Sequence, residues 1–219
     1  NTFIEGDRYM TLVEGFEKTL IITFGALLIG VIIGTIVAIT KVFAVHNKGL
    51  KIFDILCNIY LTVIRGTPVV VQLMICYFLV FQSSDNGVPV AIFAFGINSG
   101  AYVAEIFRAG IMSIDHGQFE AGRSLGFNYF QTMRYIIIPQ VFKAVLPTLC
   151  NEFIALLKET SVAGYVGVID LTKSGNIVAG RTFEYFIPLF TVAAIYLVMV
   201  MILSSLVGKL ERRLRKSER

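Results

Sequence analysis

The sequence predicts an all-α, polytopic membrane fold with about five transmembrane helices, and three observations carry that prediction. The chain is 56% apolar and only 16% charged, with a mean hydropathy of +0.75, a balance of membrane proteins and not of soluble domains. Its apolar residues gather in runs long enough to cross a hydrocarbon core of about 30 Å, which takes about 20 residues of helix. Those runs lack the roughly ten-residue alternating segments of barrel strands. Backbone groups in lipid must be satisfied internally, so the runs are helices.

The spans are expected at residues 19–41, 60–81, 88–109, 137–158 and 184–207 of a single transmembrane domain over 1–219, with a polar loop at 111–136. Asn1–Lys18 mixes Glu5, Asp7, Arg8, Glu14 and Glu17 with Phe3, Tyr9 and Phe16, which reads as a short amphipathic surface segment ahead of the first span. It is too polar for a cleavable signal, and the apolar run behind it exceeds a signal's core. Within that run Gly30 and Gly34 form a small-xxx-small pair that lets another helix approach closely, for packing within the chain before any dimer.

From Lys51 onward the polar residues Lys51, Asp54, Asn58, Thr62 and Arg65 recur at steps of three and four. They share one helical face, with Ile52, Ile55, Leu56, Ile59 and Val63 opposite. The stretch is expected along the cytoplasmic interface or in a protein-lined cleft. Gly66-Thr67-Pro68 then breaks the helix, because Pro68 has no amide donor and biases its predecessor away from helix. Gln82–Val88 reads as an external turn. The third span ends in Tyr102, Glu105 and Arg108, and the fourth carries Pro147, Asn151 and Glu152 before Lys158-Glu159-Thr160-Ser161. Gly164, Gly167, Gly175 and Gly180 make 162–181 too glycine-rich for an ordinary helix. The last span runs into a basic tail.

Most of the 19 Lys and Arg fall on one side of this plan: Lys41, Lys48 and Lys51, Arg108, Arg123, Arg134 and Lys143, and the tail from Lys209 to Arg219. The positive-inside rule makes that side cytoplasmic, with the N-terminus outside and the C-terminus inside. The net charge of +4 thus reflects topology, and a nucleic-acid partner is not expected. Cys57, Cys76 and Cys150 lie in apolar stretches, and His46 and His116 in loops, with no ligand spacing among them. The thiols read as small packed hydrophobes and no metal site is expected.

The most informative stretch is Glu120–Pro139, a polar excursion between two apolar runs. Glu120-Ala121-Gly122 is followed by Gly126, Ile136, Ile138 and Pro139. This resembles the EAA loop of bacterial ATP-binding-cassette (ABC) importer permeases, with Gly122 for the second Ala and Ile138 for Leu. Four further pieces resemble the polar amino-acid branch of that family. They are Ile64-Arg65-Gly66-Thr67-Pro68 with Gln72, Ala101-Tyr102-Val103-Ala104-Glu105 with Arg108, Asn151-Glu152-Phe153, and Lys158-Glu159-Thr160-Ser161.

The resemblance implies an ABC type I importer permease in the bacterial cytoplasmic (inner) membrane. It implies a second permease chain, identical or related, two cytoplasmic ATP-binding subunits that hold ATP and Mg, and an extracytoplasmic amino-acid-binding protein. The EAA loop would form a coupling helix on the ATPase, with Glu120, Ala121, Gly122, Ser124, Gly126 and Pro139 as its residues. Glu120 offers charge-assisted hydrogen bonds, Ala121 and Gly122 leave room for close approach, Gly126 turns the chain, and Pro139 suits a first helical turn.

No phosphate-binding loop, HExxH or GxSxG occurs, so this chain is not expected to be an enzyme and holds no cofactor of its own. Ionisable residues within spans mark candidate transport groups. Gln72, Glu152, Lys158, Thr160 and Ser161 flank the two expected helix breaks and are the substrate-pathway candidates. Arg65, Gly66, Thr67, Pro68, Tyr102, Glu105 and Arg108 are structural or gating candidates. Arg65–Glu105 and Glu152–Lys158 are also readable as internal ion pairs. A permease for another small solute is the alternative function, followed by an ion-coupled secondary carrier, against which the absence of an internal repeat argues.

Overall fold

The computed structural model describes residues 3, 5–45 and 47–216. His46 and the last three residues of the expected basic tail, with Asn1, Thr2 and Ile4, lie outside the described residues. Nine α-helices carry the described fold: α1 (Arg8–Ala44), α2 (Lys51–Gly66), α3 (Val69–Ile75), α4 (Gly87–Met112), α5 (His116–Ser124), α6 (Tyr129–Thr132), α7 (Ile138–Glu159), α8 (Leu171–Thr182) and α9 (Phe186–Lys216). Short π turns close α3 and join α6 to α7, and a 3-10 stretch, Thr160–Val166, follows α7. Four helical stretches are individually long and apolar enough to cross a membrane, and five if α2 and α3 count as one broken span.

Helix α4 is the centre. Nearly all of its middle is buried, from Val90 through Ala104 to Gly110. Its main neighbour is α1, and glycines make that contact possible. A Cβ on Gly30 would meet Ser99 and the backbone of Gly100, one on Gly34 would meet Val103 and Ala104, and one on Gly96 would meet Ile29. The small-residue pattern therefore serves packing within the chain, where close backbones maximise dispersion contacts that lipid cannot outcompete.

Several segments differ from their sequence-based expectation. Residues 8–18 are no separate surface segment but the opening turns of α1, because Leu12 packs with Leu171 and Val192 and Gly15 lies against Asp170 and Ser174. The stretch 60–81 is not one helix: α2 and the α3 segment meet at 109°. Thr67 is extended there (φ −122°, ψ 146°), as the residue before a proline prefers. Glycine does not prevent helix α8. Asp170 caps it, and Gly175 makes room for Val192 of α9.

The fourth span also begins earlier than expected. The chain is helical from Tyr129, through the π turn Met133–Ile137, into α7. Pro139 sits in the first turn of α7, as expected, although the preceding turns are already helical. The π turn shifts the hydrogen-bond register by one residue, with Ile138 N donating to Met133 O, next to the proline that has no donor to give.

Helix α2 turns its apolar side outward. Ile52, Ile55, Leu56, Ile59 and Val63 are all exposed on the chain. Cys57, Tyr60, Leu61 and Ile64 face inward, and Tyr60 Oη donates to Ile97 O of α4 at 2.6 Å. Of the polar face, Lys51, Asn58, Thr62 and Arg65 are exposed, while Lys41 of α1 donates to Asp54 at 3.3 Å and also to Asn58. The polar face is thus mostly exposed on this chain and touches α1 through Lys41.

Candidate functional site

The polar excursion folds as a helix–turn–helix whose every end is specified. Asp115 caps α5, accepting from Gly117 N. At the other end Gly126 takes φ +80° in the left-handed region. Gly126 N donates to Arg123 O at 2.9 Å and Phe127 N to Gly122 O at 3.0 Å, the paired bonds of a Schellman motif. Asn128 and Gln131 then form a reciprocal capping box that starts α6.

This hairpin is fixed to the spans behind it. Thr132 lies against buried Gly122, where a Cβ would collide with its side chain. Gln140 of α7 donates to Gln118 Oε1 of α5 at 3.1 Å. Phe43 at the end of α1 stacks on Phe130 with centroids 4.9 Å apart. Met133, Ile137, Val141 and Val145 continue into a core with Phe107 and Ala38.

The six residues assigned to coupling thus divide. Glu120, Ala121 and Ser124 are exposed, while Gly122 is spent on an internal contact and not on room for a partner. Gly126 shapes the turn, and Pro139 lies in the helix behind. Leu125 was not singled out in the sequence, yet it is 70% exposed at the end of α5, an apolar side chain facing outward beside the exposed polar ones. Its position one residue before the turn glycine was the available signal.

A second constellation surrounds the break between α2 and α3. Gln72 Nε2 donates to Ile64 O at 2.7 Å and to Thr67 O and Oγ1 at 3.1 and 2.8 Å. These acceptors include carbonyls near a break where the regular helix ladder is interrupted. Gln72 Oε1 accepts from Asn98 of α4, itself buried, at 3.0 Å. Gln72, named as a pathway candidate, is therefore engaged at both ends of its amide in holding the bend.

Tyr102, Glu105 and Glu152 line one groove of about 510 Å³ between α4 and α7, together with Ser113 and Thr148. Glu105 is held by Arg108 through bonds of 3.0 and 2.7 Å to one oxygen. Arg65 of α2 lies 3.7 Å from its other oxygen, and 5.9 Å from the Tyr102 ring centroid. The ion-pair reading thus describes Arg65, Glu105 and Arg108. For Glu152 it does not: its Oε1 accepts from Ser99 Oγ at 2.9 Å, and no ion pair joins it to Lys158 among the described residues.

The remaining candidates lie apart from the groove. Lys158 is exposed, and Thr160 is fully buried, donating to Leu157 O. Ser161 lines a smaller pocket of about 260 Å³ with Tyr165, Asp170, Lys173 and Asn176. Asp170 organises that region. Its carboxylate accepts from Thr172 N and Lys173 N, and Leu171 N donates to Thr19 Oγ1 of α1. Burial pushes the Asp170 carboxyl up from its ordinary range, with those backbone amides pulling the other way. An Asp before Leu171 and the helix was the capping signal.

The family described as "binding-protein-dependent transport system inner membrane component" matches residues 26–216. The chain belongs to that family. The glutamine transport system permease GlnP of Escherichia coli K12 is 35% identical over 208 residues, covering 93% of each chain. The arginine transport system permease ArtQ of Bacillus subtilis is 36% identical over 212 residues, covering 94% of each chain. Among solved structures, an amino acid ABC transporter crystallised with histidines superposes with a TM-score of 0.87 at 42% identity, covering 96% of this chain and 98% of that one. The expected fold class holds: an all-α, multi-pass membrane protein of the ABC type I importer permease kind, with four to five spans. As a family member it is a transport component that works with a binding protein and an ATPase.

Proposed function

We propose that this chain is the permease subunit of an ATP-driven importer that carries a polar amino acid across the bacterial cytoplasmic membrane. The likeness at 42% identity to an amino acid ABC transporter, over nearly the whole of both chains, is the observation that carries the reading. Two permease chains, identical or related, form the pathway. Two cytoplasmic ATP-binding subunits supply the ATP and Mg chemistry, and an extracytoplasmic protein delivers the amino acid. The N-terminus lies outside and the C-terminus inside, so α5 faces the cytoplasm.

On this reading α5 is the coupling element. Glu120, Ala121, Arg123, Ser124 and Leu125 are exposed together, while Gly122 and Gln118 bind the helix to α6 and α7. A push on α5 is passed to α7 through these contacts, and α7 carries Glu152. The Ser99–Glu152 bond extends the linkage to α4. Two arrangements of this unit, biased by the state of the ATPase, suffice for alternating access.

The groove between α4 and α7 is the substrate candidate. Glu152 supplies an acceptor for a substrate ammonium, and its Ser99 bond leaves other lone pairs open. Lys158 and Ser161 lie outside that groove, near the end of α7, and Thr160 is buried away from it. The test is uptake of radiolabelled glutamine, arginine and histidine into vesicles holding the full complex. Uptake that needs ATP on the ATPase side and survives an ionophore supports the proposal, whereas uptake that follows an ion gradient and ignores ATP overturns it.

A further inference from the structure

A second cavity, outside the site already described, is lined by α1, α7 and α9. It measures about 440 Å³, within the range of about 300–1,000 Å³ usual for small-molecule sites. Every lining residue is apolar, from Phe24 and Val31 on α1 to Leu146 and Phe153 on α7 and Leu203 and Leu210 on α9. The lining covers eight or nine residues of each helix, roughly 12 Å of helix length at 1.5 Å per residue. It lies within helices apolar enough to span a membrane, so the medium available to fill it is hydrocarbon.

One end of this groove is basic. Phe24 lies against Phe153 with ring centroids 5.0 Å apart, while Ala38, further along α1, packs with Val141 and Val145, earlier on α7, so α1 and α7 run antiparallel. Leu12 of α1 packs with Val192 of α9, and further along both helices Phe24 to Val31 and Leu203 to Leu210 line the same cavity, so α9 follows α1 in the same direction. The Leu146 and Leu210 ends of the lining therefore coincide. One turn beyond Leu146 on the same face of α7 stands Lys143, and one turn beyond Leu210 on α9 stands Arg213. Both are exposed, and neither has an ion-pair partner among the described residues. Lys209 and Arg212 add to the same helix end, and Glu211 is the acidic group there.

We infer that this groove is a binding site for an anionic phospholipid, with an acyl chain along α1, α7 and α9 and the phosphate between Lys143 and Arg213. An apolar lining with two exposed cations at its membrane-surface end matches both halves of such a lipid. A zwitterionic lipid meets only the apolar half. Each cation near the surface favours an anionic headgroup by about fivefold.

The chain contains no tryptophan, which gives a clean reporter. Leu210→Trp, at the basic end, is reconstituted as the full chain in vesicles of brominated phosphatidylglycerol or brominated phosphatidylcholine in mixtures with unlabelled lipid. Quenching should show a preference for phosphatidylglycerol of about fivefold or more, and Lys143→Gln with Arg213→Gln should reduce it to near one. Leu203→Trp serves as the second reporter should Leu210→Trp fail to fold. Equal quenching by the two lipids, or a preference untouched by the double substitution, overturns the site. So does protection of both reporters from either lipid, which would mean that another copy of the chain covers the groove.

Discussion

Ser99 of α4 donates its hydroxyl to Glu152 of α7 at 2.9 Å, and this bond joins two of the most closely packed spans at the groove between them. Ser99 is itself fully buried against α1, where Gly30 leaves room for it. A carboxylate so placed is anchored on one oxygen and available on the other. That division of labour is what a site for a cationic substrate group requires.

Glu152→Gln keeps the shape and the Ser99 bond but removes the charge. A charge-assisted hydrogen bond is worth about 1.5–3 kcal/mol, so the half-saturating substrate concentration should rise by roughly 10-fold or more. Ser99→Ala should cost less, because it removes the anchor and leaves the acceptor. Concentration-dependent uptake by the reconstituted complex measures both. Equal effects of the two would place Glu152 in packing alone.

The bend between α2 and α3 depends on Gln72. Gln72→Leu leaves the Ile64 and Thr67 carbonyls without this donor and the buried Asn98 amide without its acceptor. Loss of about 1–3 kcal/mol is expected, read as a lowered melting temperature of the purified protein. Asn98→Leu shares the same bond, so the double variant should lose less than the sum of the singles. Strict additivity would show that the two amides act independently.

Gly122 and Gly126 separate two roles within one hairpin. Gly122→Ala should destabilise α5 packing, and Thr132→Ala should restore part of the loss by removing the two nearest colliding atoms. Gly126→Val meets no neighbour but places a β-branched residue at φ +80°. The turn then distorts at a cost of about 1–2 kcal/mol. ATP hydrolysis should continue while uptake falls and membrane insertion remains normal. Uptake at the unsubstituted level in Gly126→Val would remove the turn from the coupling path.

Much of this was legible in the chain itself, for reasons that vary from residue to residue. Long apolar runs and the Gly66-Thr67-Pro68 break are local signals, since hydropathy and a missing donor act without tertiary context. The Gly30–Gly34 contact was legible for the same reason. What escaped was what neighbours decide. Nothing near Gln72 in sequence shows that its amide reaches back to Ile64 and across to Asn98. Gly122 gave no local sign that Thr132, ten positions on, would occupy its space. Asp170 carried a capping signal that the surrounding glycines obscured, so helix α8 went unread. The π turn ahead of Pro139 leaves no mark in composition, so the helical start at Tyr129 was not visible there.

Coupling requires α5 to meet a separate ATP-hydrolysing subunit, and Leu125 stands at the point of contact to be tested. A photo-crosslinking amino acid placed at Leu125, exposed at the end of α5, should on illumination join this chain to the ATPase subunit of the assembled complex, with yield that changes when ATP is bound. Crosslinks that form only with an extracytoplasmic protein or lipid, and none with an ATPase, would contradict it.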